Sequence, residues 1–186
     1  PDPKDTQGHG TAVAGIIGGL RNNNQGISGL AGGDGVNNSG VQLLAFRTSG
    51  APLDKIIDAI VEASSNSNGF GYGCHILNNS WGLRNECNLA DYNDPLRAAV
   101  AHAAQNNVVF VASKGNCNLN EPYYPSGYDE NWVIAVGATT RCDERNSPTA
   151  CGGESWWGSN TGFGIDVSAP GTRNIVHTTG IGRNSY

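Results

Sequence analysis

Apolar positions in this chain fall into short blocks separated by stretches rich in glycine and asparagine. Residues 9–20 (HGTAVAGIIGGL) are small and apolar throughout, which predicts a helix buried against other elements. Residues 41–46 (VQLLAF) form an apolar run of strand length. Over 52–63 the residues Leu53, Ile56, Ile57, Ile60 and Val61 recur at helical spacing. Residues 76–80 read as a strand. A second helical set follows over 94–105, with Pro95 expected at its first position and apolar residues at Leu96, Ala99, Val100 and Ala103. Past Asn106 and Asn107, residues 108–112 (VVFVA) are continuous and rich in β-branched side chains, the mark of a strand buried on both faces. Residues 133–136 (VIAV) and 165–167 extend the strand series.

Strands alternating with helices predict βαβ units and a parallel sheet with helices on both faces, an α/β architecture. No internal repeat or domain boundary is visible. Residues 64–73 (SSNSNGFGYG) resemble a linker, but they lie between a helix and a strand and read as a long surface loop. A length of 186 residues suggests one domain with a real core.

Composition narrows the function classes. Glycine numbers 27, about twice the ~7% background, and charged residues make up only 15%. With so much Gly, Asn and Ser, the chain reads as a loop-rich enzyme, and the apolar runs argue against disorder. The net charge is −5 and the 11 Lys and Arg are scattered, which argues against nucleic acid. No apolar run approaches the ~20 residues needed to span a bilayer. No signal segment opens the chain, but it begins at Pro1 without Met, so processing or truncation leaves secretion open. The five cysteines lack Cys-x-x-Cys spacing. Their odd number fits a secreted protein with one partner outside the chain, or buried free thiols. The polar, turn-rich settings of Cys87, Cys117, Cys142 and Cys151 favour the former.

Three strings carry candidate chemistry. In Gly8-His9-Gly10-Thr11-Ala12-Val13-Ala14-Gly15, a histidine opens a helix and could present its imidazole in a cleft at the edge of a parallel sheet. Alone, a histidine between glycines is more often an exposed turn residue. In Ala112-Ser113-Lys114-Gly115-Asn116, an asparagine follows a strand and could aim its amide N–H at a developing oxyanion; a plain turn asparagine is the bland reading. Asn78-Asn79-Ser80-Trp81-Gly82 also follows a strand and could simply close it with a Trp-Gly turn.

Together these strings resemble the subtilisin-like serine peptidases, the subtilases. The run from His9 to Gly19 is similar to the family's histidine signature, and Gly115-Asn116 to its oxyanion-hole unit. Ser80, Trp81 and Gly82 resemble the strand edge that binds substrate backbone and walls the primary specificity pocket. In this detail they look more like the kexin and furin branch than the bacterial subtilisins. Tyr124-Pro125 leading into residues 133–138 is similar to the segment below that pocket, and residues 165–171 to the Ala-Pro-Gly turn preceding the serine. The resemblance implies a three-layer α/β fold with a mostly parallel sheet flanked by helices. It also implies a secreted, monomeric endopeptidase acting on protein or peptide substrates, with His9 and Asn116 catalytic and Ser80, Trp81, Gly82, Lys114 and Gly115 binding substrate.

The family triad runs Asp, His, Ser. Asp2 and Asp5 lie too close to His9 to reach the far nitrogen of its ring, and Asp5 is expected to cap the histidine helix. The family's Gly-Thr-Ser would fall just past Tyr186, and Ser185 lacks that context. Residues 1–186 are therefore expected to be a partial peptidase domain, incomplete at both ends, without the aspartate strand or the serine helix. The resemblance further implies a calcium loop formed by the carbonyls of Leu20, Gln25 and Ile27 and the side chain of Asn23, although the family's additional upstream aspartate is missing. It brings Cys87 near Cys117; Cys142 and Cys151 flank a short turn, which leaves Cys74 alone. Leu83-Arg84-Asn85 is not an acidic run, and Glu86 and Glu121 are the only nearby acids, which speaks against strict dibasic specificity. From another class, a subtilase-like module that binds peptide without cleaving it is the alternative. A nucleotide-binding domain is remoter, because Gly32-Gly33-Asp34-Gly35 and the glycines at 69, 71 and 73 lack a strand-to-helix junction.

Overall fold

The computed structural model describes residues 4–66, 69–83, 87, 93–128, 131–162 and 164–173, which form two compact units, one within Pro1–Ser49 and one within Gly50–Ile175.

The larger unit is built on the α/β plan that the apolar blocks predict. Its elements are α2 (Leu53–Ser64), β1 (Ile76–Asn79), α3 (Asp94–Gln105), β2 (Val109–Ser113), β3 (Val133–Thr139) and β4 (Val167–Pro170). The strands pair in the order β1-β2-β3-β4, all parallel, with Leu77 opposite Phe110 and Phe110 opposite Val133. Parallel neighbours need a crossover, and α3 supplies the one between β1 and β2. That helix starts where its chemistry says it should. The Asn93 side chain accepts from Leu96 N at 2.9 Å, and Pro95 occupies the first turn, as the second helical residue rather than the first. Its apolar stripe, Leu96, Ala99, Val100 and Ala103, is wholly inside and packs with Ile60 of α2 and Phe110 of β2.

The strand over 108–112 is buried on one face only. Phe110 and Ala112 are 1% exposed, whereas Val109 is open to solvent. Ile76 and Ile134, on the same face as Val109 and Val111 by register, are exposed as well. The reason is coverage: α2 and α3 supply the apolar cover for the Phe110 face, and the described residues of this unit leave the other face uncovered. The last strand lies later than expected, over Val167–Pro170, and Gly171 N donates to Thr139 O at 3.0 Å, serving the carbonyl opposite proline, which has no N–H to give. Within the segment expected as a loop, Tyr72 N donates to Glu62 O, and Cys74 N just beyond it donates to Ala63 O, which ties residues 72–74 back to α2.

The smaller unit holds α1 (His9–Gly18). Contrary to the expectation of a buried helix, none of its residues is buried within the structure. Residues 41–46, expected as a strand, form no ladder. Val41 N donates to Ala31 O, but Val41, Leu43 and Leu44 remain exposed, because among the described residues no strand lies beside them to pair with. Backbone packs directly on backbone here instead. A Cβ on Gly29 would run into the main chain at Gly19, so only glycine allows the chain past residue 29 to cross the end of α1.

Candidate active site

The Asn116 loop grows out of β2. Lys114 N donates to Val136 O at 2.9 Å, carrying the β2–β3 pairing one residue past Ser113. Gly115 then turns the chain with φ 98°, in the left-handed region that glycine enters without strain, and its N–H donates to Ser113 Oγ at 3.2 Å. Asn116 follows, exposed, and among the described residues its side chain has no hydrogen-bond partner. An amide at a strand's carboxyl end with its N–H unspent is the arrangement that electrostatic stabilisation of an oxyanion requires.

What holds this loop is a residue that sequence reasoning missed. Asn160 is fully buried. Its Nδ2 donates to Lys114 O at 3.0 Å, and its Oδ1 accepts from Cys117 N at 2.9 Å and Leu119 N at 3.1 Å. Its own N–H donates to Gly115 O at 3.0 Å. One amide thus takes up main-chain groups on both sides of Asn116, and each would cost ~1–3 kcal/mol if left buried and unpaired. The only signal in the sequence was a Ser-Asn pair in a polar stretch, which any turn could supply. Beyond the loop, Cys117 is bonded to Cys87 with Cα atoms 5.3 Å apart, and Cys142 to Cys151 at 5.8 Å. These are the expected pairs. Cys74 remains a free thiol, and burial pushes its pKa up.

Residues 80–82 leave the end of β1. Trp81 Nε1 donates to Asn79 Oδ1 at 3.1 Å, and the indole packs against the core, so this side chain is a support as much as a surface. Leu83 N donates to Tyr124 O at 3.1 Å, tying the segment to residues 123–125. Lys114 runs inward. It is 2% exposed and lines a cleft of about 720 Å³ together with Asp166, Glu121 and Tyr128. Burial lowers the pKa of its ammonium, and the Asp166 carboxylate opposes that shift.

In the smaller unit His9 is the first residue of α1 and is exposed. The helix entrance is organised by Asp5 from outside the cap position, which Gly8 occupies. Asp5 accepts from Gln7 N, Gly8 N, Thr11 N and Thr11 Oγ1, all at 2.8–2.9 Å. Its hydrogen bonds from Thr11, Gln7 and Gly8 hold the carboxyl well below the usual carboxylate range. Asp5 thus serves first-turn N–H groups as a cap would, but from three residues before the N-cap, which is Gly8. The loop after α1 alternates left-handed residues at Asn22, Asn24 and Gly26 around an open depression of about 350 Å³ lined by residues 22–26 and Ser28. The side chains there offer neutral amide and hydroxyl oxygens, the hard-donor chemistry that suits calcium. Asn23 Oδ1 also accepts from Gln25 N at 3.0 Å, and Leu20 and Ile27 stand outside the lining. Among the described residues no cluster of three His, Cys, Asp or Glu is available to a metal.

Comparison with known proteins decides the family. The sequence model of the subtilase family matches residues 1–186. The chain belongs to the subtilase family. It is 34% identical over 185 residues to the thermophilic serine proteinase of Bacillus sp. strain AK1, covering 100% of this chain and 39% of that protein. It is 32% identical over 178 residues to subtilisin Savinase of Lederbergia lenta, covering 96% and 55%. Among solved structures, a protease of Pseudoalteromonas arctica PAMC 21717 superposes with a TM-score of 0.64 at 28% identity over 88% of this chain and 43% of that one. The chain therefore spans about half the length of these subtilases, or less. None of the three belongs by name to the kexin and furin branch that Ser80-Trp81-Gly82 resembles. Asp2, Arg84, Asn85, Glu86 and Ser185, considered above, lie outside the described residues.

Proposed function

We propose that the protein containing this chain is a secreted serine endopeptidase in which His9 is the general base and Asn116 the oxyanion donor. In this reading the serine and aspartate of the triad come from the rest of the protein. The serine attacks the peptide carbonyl, His9 takes its proton and then gives it to the leaving amine, and the aspartate orients the imidazole. The Asn116 amide donates to the oxygen that becomes negative in the transition state. The observation that carries the reading is Asn116 itself. It belongs to a subtilase, stands just past a parallel strand, is exposed, and sits on a loop whose main chain is held by a buried amide. The disulfides support an extracellular setting, where such bonds persist. Among the described residues no helix is long and apolar enough to cross a membrane.

The test is made on the full-length protein. Peptide hydrolysis should be accompanied by labelling of one serine outside residues 1–186 by a fluorophosphonate, and both should disappear in the corresponding serine-to-alanine variant. Peptide binding with neither hydrolysis nor labelling would replace the endopeptidase by a non-catalytic peptide-binding module. We further propose calcium in the loop after α1, held by the carbonyls of Leu20, Gln25 and Ile27 and the side chain of Asn23. The oxygen-rich, repeatedly turned loop supports this. Calcium at ~100 times its dissociation constant would add ~2.7 kcal/mol of stability. A melting temperature that does not respond to calcium after chelation would remove the site.

A further inference from the structure

The strands β1 and β2 run in register as far as Asn79 opposite Ala112. Just beyond that pair, Gly82 on one side and Gly115 on the other meet the ring of a single residue, Tyr123. A Cβ on Gly82 would run into Cε1, Cζ and Oη of that ring, and a Cβ on Gly115 would stand 2.9 Å from Cδ1 and Cγ. The phenol therefore lies lengthwise between the two segments, its base against Gly115 and its hydroxyl end against Gly82. Its backbone is held in place. Tyr123 O accepts from Ser126 Oγ at 2.6 Å and from Gly127 N at 2.7 Å, and the next carbonyl, Tyr124 O, accepts from Leu83 N at 3.1 Å.

A slot between two backbone walls, with glycine on each, suits a side chain lying flat within it. Here the slot already contains one of the protein's own. We propose that Tyr123 determines specificity: its ring fills the place where the substrate side chain on the acyl side of the scissile bond would enter, and it restricts that side chain to glycine or alanine. The proposal rests on the reading of Ser80–Gly82 and Lys114–Gly115 as the walls of the primary pocket. Its physical basis is close packing. A leucine or phenylalanine enters only by displacing the ring, which gives up its contacts with both glycines, and a filled apolar space resists added volume. Pockets discriminate by ~10–200-fold over a single methylene, so exclusion of a whole aromatic ring should exceed the lower end of that range.

The experiment uses the full-length protein and a series of peptide p-nitroanilides that differ only in the residue before the scissile bond: Gly, Ala, Leu or Phe. The expected kcat/KM for Ala exceeds that for Phe by ~10²-fold. Tyr123→Ala should raise the kcat/KM of Phe and of Leu relative to Ala at least ~10-fold, and Tyr123→Phe, which keeps the ring, should preserve the wild-type order. If Tyr123→Ala does not fold, Tyr123→Val reads the same shift through Leu. Equal hydrolysis after Ala and Phe by the wild type, or no gain for large residues in the truncated variants, overturns the proposal. Product peptides ending in Ala or Phe are titrated in parallel. Preferential binding of the Ala product without hydrolysis of any substrate would remove the endopeptidase reading and keep the filled slot. Hydrolysis without preference would do the reverse.

Discussion

Asn116 stands past the end of a strand whose residues Phe110 and Ala112 are buried beneath helices, whereas His9 opens a helix in which no residue is buried. The two strings are equally recognisable, yet their supports differ in kind. The Asn116 loop sits on a hydrophobic core and is fastened by a buried neutral amide, Asn160, and by a disulfide at Cys117. The start of the His9 helix is organised by a half-buried carboxylate, Asp5, in a unit where Leu30 is 91% exposed and backbone packs on glycine. A candidate site residue can thus be positioned by hydrogen bonds to the main chain around it, whether or not a core lies underneath. The difference should appear in what each site tolerates. A neutral buried amide is insensitive to pH, but a carboxylate is not.

The largest effect expected is on activity. In the full-length protein, on the proposed mechanism, His9→Ala should lower turnover by ~10⁶, the cost known for loss of the histidine in subtilisin, and survival of activity within tenfold of the parent would take His9 out of the mechanism. Next comes the core. Phe110→Ala removes a side chain that is 1% exposed and should cost ~3–5 kcal/mol in denaturant unfolding, whereas Leu30→Ala should change stability by less than ~0.5 kcal/mol. Equal losses would erase the contrast between the units.

Asn116→Ala should lower kcat by ~10²–10³, a range that itself comes from subtilisin, with KM little changed, because the bond it makes forms mainly in the transition state. Asn160→Ala should act through the same loop. A donor displaced by about 1 Å can cost up to ~10² in rate, so kcat should fall while KM holds. The double variant should turn over no more slowly than Asn116→Ala alone, since both changes remove one function. Multiplying effects would mean that Asn160 stabilises the fold without positioning Asn116.

The smallest effect concerns Asp5. Its folded-state pKa is depressed, so its contribution to stability is fully present above the ordinary carboxylate value of ~3.9 and is lost as pH falls from there toward the folded value. Amide exchange at Gly8 and Thr11 should therefore quicken in that window after correction for intrinsic rates, and Asp5→Asn should flatten the response. Protection at Cys117 and Leu119, bonded to Asn160, should not change through the same range.

Much of this was legible in the chain itself. The spacing of Leu96, Ala99, Val100 and Ala103 placed α3 within its true bounds, because helical periodicity and an asparagine cap act over a few residues. The same holds for the motif strings that mark the family, in which each residue's neighbours in sequence are also its neighbours in space. Where the outcome depended on distant partners, the pattern alone was not enough. Residues 41–46 have strand composition but no strand beside them among the described residues, and the apolar run over 108–112 is a half-buried strand because the described residues leave one face of its sheet uncovered. Asn160 holds a carbonyl 46 residues earlier, and Tyr123 lies between two glycines that belong to different strand ends. Local chemistry determined which elements form and which residues are equipped to react. Only the tertiary structure decided what is buried beside them, because burial and hydrogen-bond partnership belong to segments that meet in space after long excursions in sequence.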